Sequence, residues 1–151
     1  MRAVVQRVAA ASVLLKATGE TTGAIGRGIL AYVGVMKGDA PADVQWMAEK
    51  LSGLRIFEDD AGKMNLSVSE TGGEILLVSQ FTLGGDARKG RRPSFNNAEE
   101  PGIAEEVLST LVDALSLQGQ RVATGRFGAG MTVRCDVDGP VTILVDSKKA
   151  F

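Results

Sequence analysis

A chain of 151 residues has the length of one domain, and it buries roughly 70% of its extended surface on folding without needing a disulfide or a metal. With 44% hydrophobic and 23% charged residues, a net charge of −1 and one cysteine, it excludes a membrane-spanning helix, an intramolecular disulfide, a cysteine-rich zinc site and nucleic-acid binding driven by overall charge. Its histidine count of zero excludes Ser-His-Asp and Cys-His catalysis and almost every catalytic zinc site, which leaves carboxylates, Lys, Tyr, hydroxyls, backbone groups or the substrate itself.

The N-terminal run Met1 to Arg7 meets charge too soon to form a signal h-region, so cytoplasmic residence is the default expectation. Ala3 to Val8 and Ser12 to Leu15 read as two short strands. Gly19 to Gly28, with four glycines and two threonines, is turn and hairpin material. It leads into Ile29 to Val35, which is apolar on both alternations and so central in a sheet. Asp39 offers a helix N-cap, with Pro41 in the first turn. Val44, Met47, Leu51 and Leu54 then fall on one helix face.

Leu54 to Glu58 and Lys63 to Val68 read as strands around a turn at Asp59 to Gly62. The strongest strand signal is Glu74 to Leu83, ending in Gly84-Gly85. After a polar loop, Asp86 to Asn97, comes the longest helix, with Ile103, Val107, Leu111 and Leu115 at i+4. Glu99 and Glu100 suit its positive end, and Gln118-Gly119 stops it. The tail reads as three strands, Arg121 to Thr124, Met131 to Val137 and Val141 to Val145, the last two joined by a turn at Asp138-Gly139-Pro140. About eight strands and two unequal helices, not alternating, predict an α+β domain. Its expected form is a curved, barrel-like, largely antiparallel sheet over residues 1–151 with both main helices on one side.

Three segments are candidates for chemistry. Arg88-Lys89-Gly90-Arg91-Arg92 puts four cations in five residues of a net acidic protein. Such a cluster suits phosphate, against the plainer reading of a solvated loop. Ser79-Gln80-Phe81-Thr82 sets hydroxyl and amide groups at a strand end, where pocket mouths form, though polar strand ends are common. Gly139-Pro140 is a turn in which a cis bond would fix two carbonyls in an unusual direction. Cys135 reads as a small buried residue, and Tyr32 and Trp46 as packing residues. No ligand cluster calls for a metal, and no cofactor is expected.

Taken together, these residues resemble the D-aminoacyl-tRNA deacylase family. Ser79-Gln80-Phe81-Thr82-Leu83 matches its SQFT motif, and Gly139-Pro140-Val141-Thr142 its Asn-x-Gly-Pro-Val-Thr motif. Val4 to Val8, Leu54 to Phe57, Gly62 to Val68 and the Lys-Gly-x-Arg-Pro-Ser-Phe run at Lys89 to Phe95 are similar as well, so the likeness covers the whole chain. Two departures stand out: Val137 replaces the motif asparagine, and Gly84 follows the SQFTL run where the family often has a larger residue.

The resemblance implies an enzyme that hydrolyses the ester of a D-amino acid, or of mischarged glycine, on the tRNA 3′ end. It implies no membrane, and a homodimer with two interface pockets. In each, a Gly-cisPro segment from one subunit enters the pocket of the other and excludes L-side chains. By the same resemblance, Ser79, Gln80, Phe81 and Thr82 line the ester and adenosine end. Gly139 and Pro140 form the chiral filter, and Arg7 braces it. Phe127 and Met131 shape the adenine site, while Arg88, Lys89, Arg91 and Arg92 meet tRNA phosphates. A non-catalytic RNA-binding module and a small-molecule esterase stay open. Only seven aromatic residues and no histidine count against them.

Overall fold

The protein's structure, a computed structural model, describes residues 1–150. One long strand organises it. β1 (Arg2–Leu15) is continuous across the alanines Ala9 to Ala11, where the sequence predicts a break between two short strands. Its register against the last strand shifts there, and this bulge reverses the alternation of its side chains. Ala3 and Val5 therefore face one core, while Val8, Ala11 and Val13 all face a second.

β2 (Thr21–Ile25) and β3 (Gly28–Gly34) pair with one edge of β1 in nearly unbroken register, Ala11 opposite Ile25 and Val8 opposite Gly28. β6 (Glu74–Ser79) lies parallel to β3, and β7 (Arg121–Thr124) parallel to β6. The small antiparallel pair β4 (Phe57–Glu58) and β5 (Met64–Leu66) stands apart. The sheet then curls until β2 meets β7. A Cβ on Gly23 would lie 2.5 Å from the Thr124 carbonyl oxygen, so glycine permits this approach. The result is the expected α+β, barrel-like sheet, nearly closed, with antiparallel pairs of β1 with β2, with β3 and with the last strand, β8 (Met131–Asp146).

The helices cover one face, as expected. α1 (Pro41–Gly53) and α3 (Pro101–Leu117) bury Met47, Leu51, Leu111 and Leu115 completely against Val5, Ile29 and Ile75. Each such side chain contributes roughly 1.5–3 kcal/mol of apolar transfer. The N-cap of α1 is Ala40 rather than Asp39, and Asp43 Oδ2 accepts the Ala40 N–H at 2.8 Å. Asp39 is occupied elsewhere: its carboxylate holds the buried Met1 ammonium at 2.6 Å and the Met36 N–H at 2.7 Å.

Two strand expectations shorten. Leu54 to Ile56 lies outside β4. Val68 opens a single-turn helix, α2 (Val68–Thr71), capped by a reciprocal Ser67–Glu70 pair, which is the capping-box pattern. The largest correction is in the tail. Met131 to Asp146 is one strand, β8, and both its halves pair with β1. Asp138-Gly139-Pro140 is therefore no hairpin turn. It is a bulge inside the strand, bounded by Gln6 opposite Thr142 and Val8 opposite Val137. The Gly139–Pro140 bond is cis.

Candidate active site

The parallel strands β3 and β6 end side by side, Val33 opposite Ser79. The chain then leaves the sheet: Gln80 N–H donates to Val33 O at 2.8 Å, and Phe81–Gly84 winds into a 3₁₀ turn. The predicted strand over Glu74 to Leu83 thus stops at Ser79. Gly34 makes the exit possible, because a Cβ there would lie 2.7 Å from Gln80 O. Beneath this turn opens a mostly apolar cavity of about 450 Å³, walled by Ser79, Gln80, Phe81, Phe95, Ala104 and Phe127 among others. Its volume fits a small organic ligand.

Of the residues expected at the catalytic end, Ser79, Gln80 and Phe81 line the cavity and Thr82 does not. The Thr82 hydroxyl instead accepts a hydrogen bond from the Gln80 amide. Phe127 lines the cavity, but Met131 packs against the second core. The Met131 sulfur sits 3.3 Å from the Arg126 N–H. Sequence reasoning gave Phe95 no role of its own. It forms an edge-to-face pair with Phe81, centroids 5.2 Å apart at 70°. Lys37, Asn96, Glu99 and Glu100 also border the cavity. The glutamates are visible in the sequence only as favourable charges at a helix start.

Gly139 and Pro140 do not line this cavity; they are exposed on β8, opposite the part of β1 around Arg7. Arg7 is buried and reaches this bulge from below. Its Nη1 donates to Ile56 O at 2.8 Å, and its Nε lies 3.0 Å from Asp138 Oδ2, an ion pair without hydrogen-bond alignment. A Cβ on Gly139 would come within 3.3 Å of Arg7 Nη2 and 2.9 Å of the Val141 nitrogen. The backbone there has φ +120°, which disfavours any side chain. Val137 and Cys135 beside it are exposed, so Cys135 is not the buried residue expected.

The basic loop is a closed finger, bridged at its neck by Asp86 and Ser94. Arg88, Lys89 and Arg92 line a depression of about 450 Å³ on it. Arg88 is not a free cation. It forks onto Asp86 at 2.6 and 2.9 Å, and these bonds hold the Asp86 carboxyl well below the usual carboxylate range. Lys89, Arg91 and Arg92 make no ion pair among the described residues. No group of three or more Cys, Asp and Glu residues suited to a metal occurs among them either.

The profile of the family described as D-Tyr-tRNA(Tyr) deacylase matches residues 4–146. The chain belongs to that family. A D-aminoacyl-tRNA deacylase from Thermotoga petrophila is 54% identical over 151 residues, covering 100% of both chains. One from Geobacter sulfurreducens is 55% identical over 148 residues, covering 98% of this chain and 96% of its own. Among solved structures, the c-Myc DNA unwinding element binding protein superposes with a TM-score of 0.90 at 41% identity, over 97% of this chain and 98% of its own. A probable eukaryotic D-amino acid tRNA deacylase gives 0.83 at 20% identity, over 95% and 97%, and so shares the fold. Membership in the deacylase family makes the chain a hydrolase. In this chain Ser79, Gln80 and Phe81 wall a cavity that Thr82, Gly139 and Pro140 do not line.

Proposed function

We propose that this protein hydrolyses the ester of D-aminoacyl-tRNA, and of glycine mischarged on tRNA, releasing free tRNA and the amino acid. It removes D-residues before translation uses them, in the cytoplasm. The observation that carries this reading is the cavity itself: a deacylase-family chain without histidine places Ser79, Gln80 and Phe81 around a ligand-sized space.

The chemistry suits that wall. An aminoacyl ester is already labile, and positioning alone supplies several orders of magnitude. The ribose 2′-hydroxyl beside the ester helps to activate water, so no protein nucleophile is needed. Phe81 and Thr82 open a helical turn, and the first N–H groups of such a turn have no intrahelical acceptor. They are suited to receive the developing oxyanion.

A second copy completes the site. Gly139 and Pro140 are exposed and outside their own cavity, so in this reading they enter the cavity of a partner and exclude L-side chains. The helix-free face of the sheet supports a homodimer. Leu144, 61% exposed on β8, stands opposite Val4 of β1, and the row runs on through Tyr32 to Val78, which is buried in the second core. A two-fold contact would use the same patch on both copies. Lys89, Arg91, Arg92 and Arg88 meet tRNA phosphates, which makes affinity fall with salt.

The test is hydrolysis of D-Tyr-tRNA against L-Tyr-tRNA by the purified protein. The D-ester should be cleaved and the L-ester spared. Equal cleavage would overturn exclusion by Gly139-Pro140, and no cleavage of either would favour a non-catalytic nucleic-acid-binding module. A D-ester on tRNA ending in 2′-deoxyadenosine should be turned over far more slowly; full activity on it would remove the 2′-hydroxyl from the mechanism.

A further inference from the structure

We infer that Phe95 is a positioning residue that couples the basic loop to the catalytic turn, so that tRNA phosphates engaged by the loop speed turnover as well as binding. The inference rests on the proposed deacylase reading. Its basis is where the ring sits. Phe95 is the first residue after the neck of the finger, which two backbone bonds close: Asp86 N–H to Ser94 O at 2.7 Å and Ser94 N–H to Asp86 O at 2.9 Å. The segment just beyond it closes on itself in a turn, Ala98 N–H on Phe95 O at 3.0 Å, and is tied to the chain leaving β3, with Lys37 N–H on Asn97 O at 2.9 Å and Glu99 N–H on Val35 O at 3.0 Å. Besides the chain itself through Gly85, movement of the cationic tip is therefore delivered at a second place, between the closed neck and the clamped segment.

The Phe95 ring fills that place. One side meets Phe81 edge to face, the favoured arrangement for two aromatic rings. Another lies on the Gly85 backbone, where a Cβ would come 3.1 Å from Phe95 Cε1 and 2.9 Å from Thr82 O. Gly85 thus lets the ring touch the turn that carries Gln80, Phe81 and Thr82. Both rings remain in contact with solvent, Phe81 at 59% and Phe95 at 38% exposure. Phe81 is therefore not held by a core; its aromatic partner is Phe95. A loop settled on phosphate fixes Phe95, Phe95 fixes Phe81, and the cavity wall is then set for the ester.

The experiment compares two substrates: full-length D-Tyr-tRNA, which offers phosphates to the loop, and D-Tyr esterified to adenosine alone, which offers none. Phe95→Ala should lower kcat on the full tRNA about tenfold, because a small misplacement of a catalytic wall costs that much or more. On the adenosine ester, where the ring acts only as part of the cavity wall, the loss should be several-fold smaller than on the full tRNA. Phe95→Tyr should restore tRNA turnover, and Phe95→Leu, which keeps the volume without the aromatic edge, should not. Equal loss on both substrates would make the ring a passive wall and overturn the coupling. So would an unchanged kcat on tRNA, with or without a raised KM. Wild-type protein that cleaves neither D-ester would instead overturn the deacylase reading on which the coupling rests.

Discussion

The Ser79–Phe81 turn and the Asp138–Pro140 bulge are built in opposite ways. The turn grows out of two buried parallel strands and is anchored by backbone, Gln80 N–H on Val33 O. It closes over a cavity within its own chain. The bulge interrupts a strand whose residues from Arg134 to Pro140 are all exposed. It is braced from beneath by one buried side chain, Arg7, and stands outside the cavity of its own chain. A wall enclosing space belongs to a binding site. An exposed bulge outside the cavity of its own chain is, in the proposed reading, what fills the cavity of a partner. The contrast is what a site shared between two copies would leave in a single chain.

The sharpest way to break this contrast is at Gly139. Alanine there must accept φ +120° and a contact of 2.9 Å with the Val141 nitrogen, strain of about 1–3 kcal/mol. The bulge will relieve it by moving. The ratio of D- to L-Tyr-tRNA hydrolysis should fall by up to about 100-fold, the kinetic equivalent of ~2.7 kcal/mol. Alanine substitution of Gly85, on the turn side, should leave that ratio intact while slowing the D-ester. If Gly139→Ala kept full selectivity, the bulge would not be the filter.

A smaller effect is expected one layer down. Arg7→Ala removes the buried guanidinium that holds Ile56 O and stands against Asp138. It leaves a carbonyl without its donor, a cost of about 2 kcal/mol, or roughly 6 °C in melting temperature for a chain of this size. Asp138→Asn should cost under about 1 kcal/mol, because that carboxylate is half exposed and screened by water. Thermal melts compare the two directly. If they destabilise equally, the ion pair rather than the carbonyl bond is what Arg7 provides.

How much of this was legible beforehand follows from the range of the forces involved. α1 and α3 could be read because the 3- and 4-residue spacing of Met47, Leu51, Leu111 and Leu115 is local. The break predicted in β1 was wrong because Ala9 to Ala11 looks weak as a strand on its own, and pairing with β8 on one edge, with β3 and β2 to either side on the other, holds it. Asp138-Gly139-Pro140 has every local mark of a turn. Only the register of both flanks with β1 shows that the chain runs straight on. The end of β6 at Ser79 depends on Gly34, far away in sequence. Ser79, Gln80, Phe81 and Phe127 were found together because motif resemblance stands in for tertiary contact. Met131 lies outside that cavity and Phe95 had no role assigned from sequence, because neither a placement in the second core nor a ring against Phe81 leaves a periodic signature.

Thr82 offers the smallest effect and a clear mechanistic decision. Its hydroxyl lies outside the cavity wall and is occupied by the Gln80 amide. A nucleophilic threonine needs a base within hydrogen-bond reach, and an amide nitrogen cannot accept its proton. Thr82→Ala keeps the backbone N–H, which is the group proposed to meet the oxyanion, and releases the Gln80 side chain. Deacylation of D-Tyr-tRNA should therefore fall by no more than about threefold, under 1 kcal/mol of barrier. A fall of a thousandfold or more, with an acyl-enzyme trapped on the wild type by rapid acid quench, would mean that the hydroxyl attacks. The turn would then have to rotate by a residue to bring it into the cavity. The contrast between enclosing turn and projecting bulge would survive that result, but the substrate's own hydroxyl would no longer account for hydrolysis without histidine.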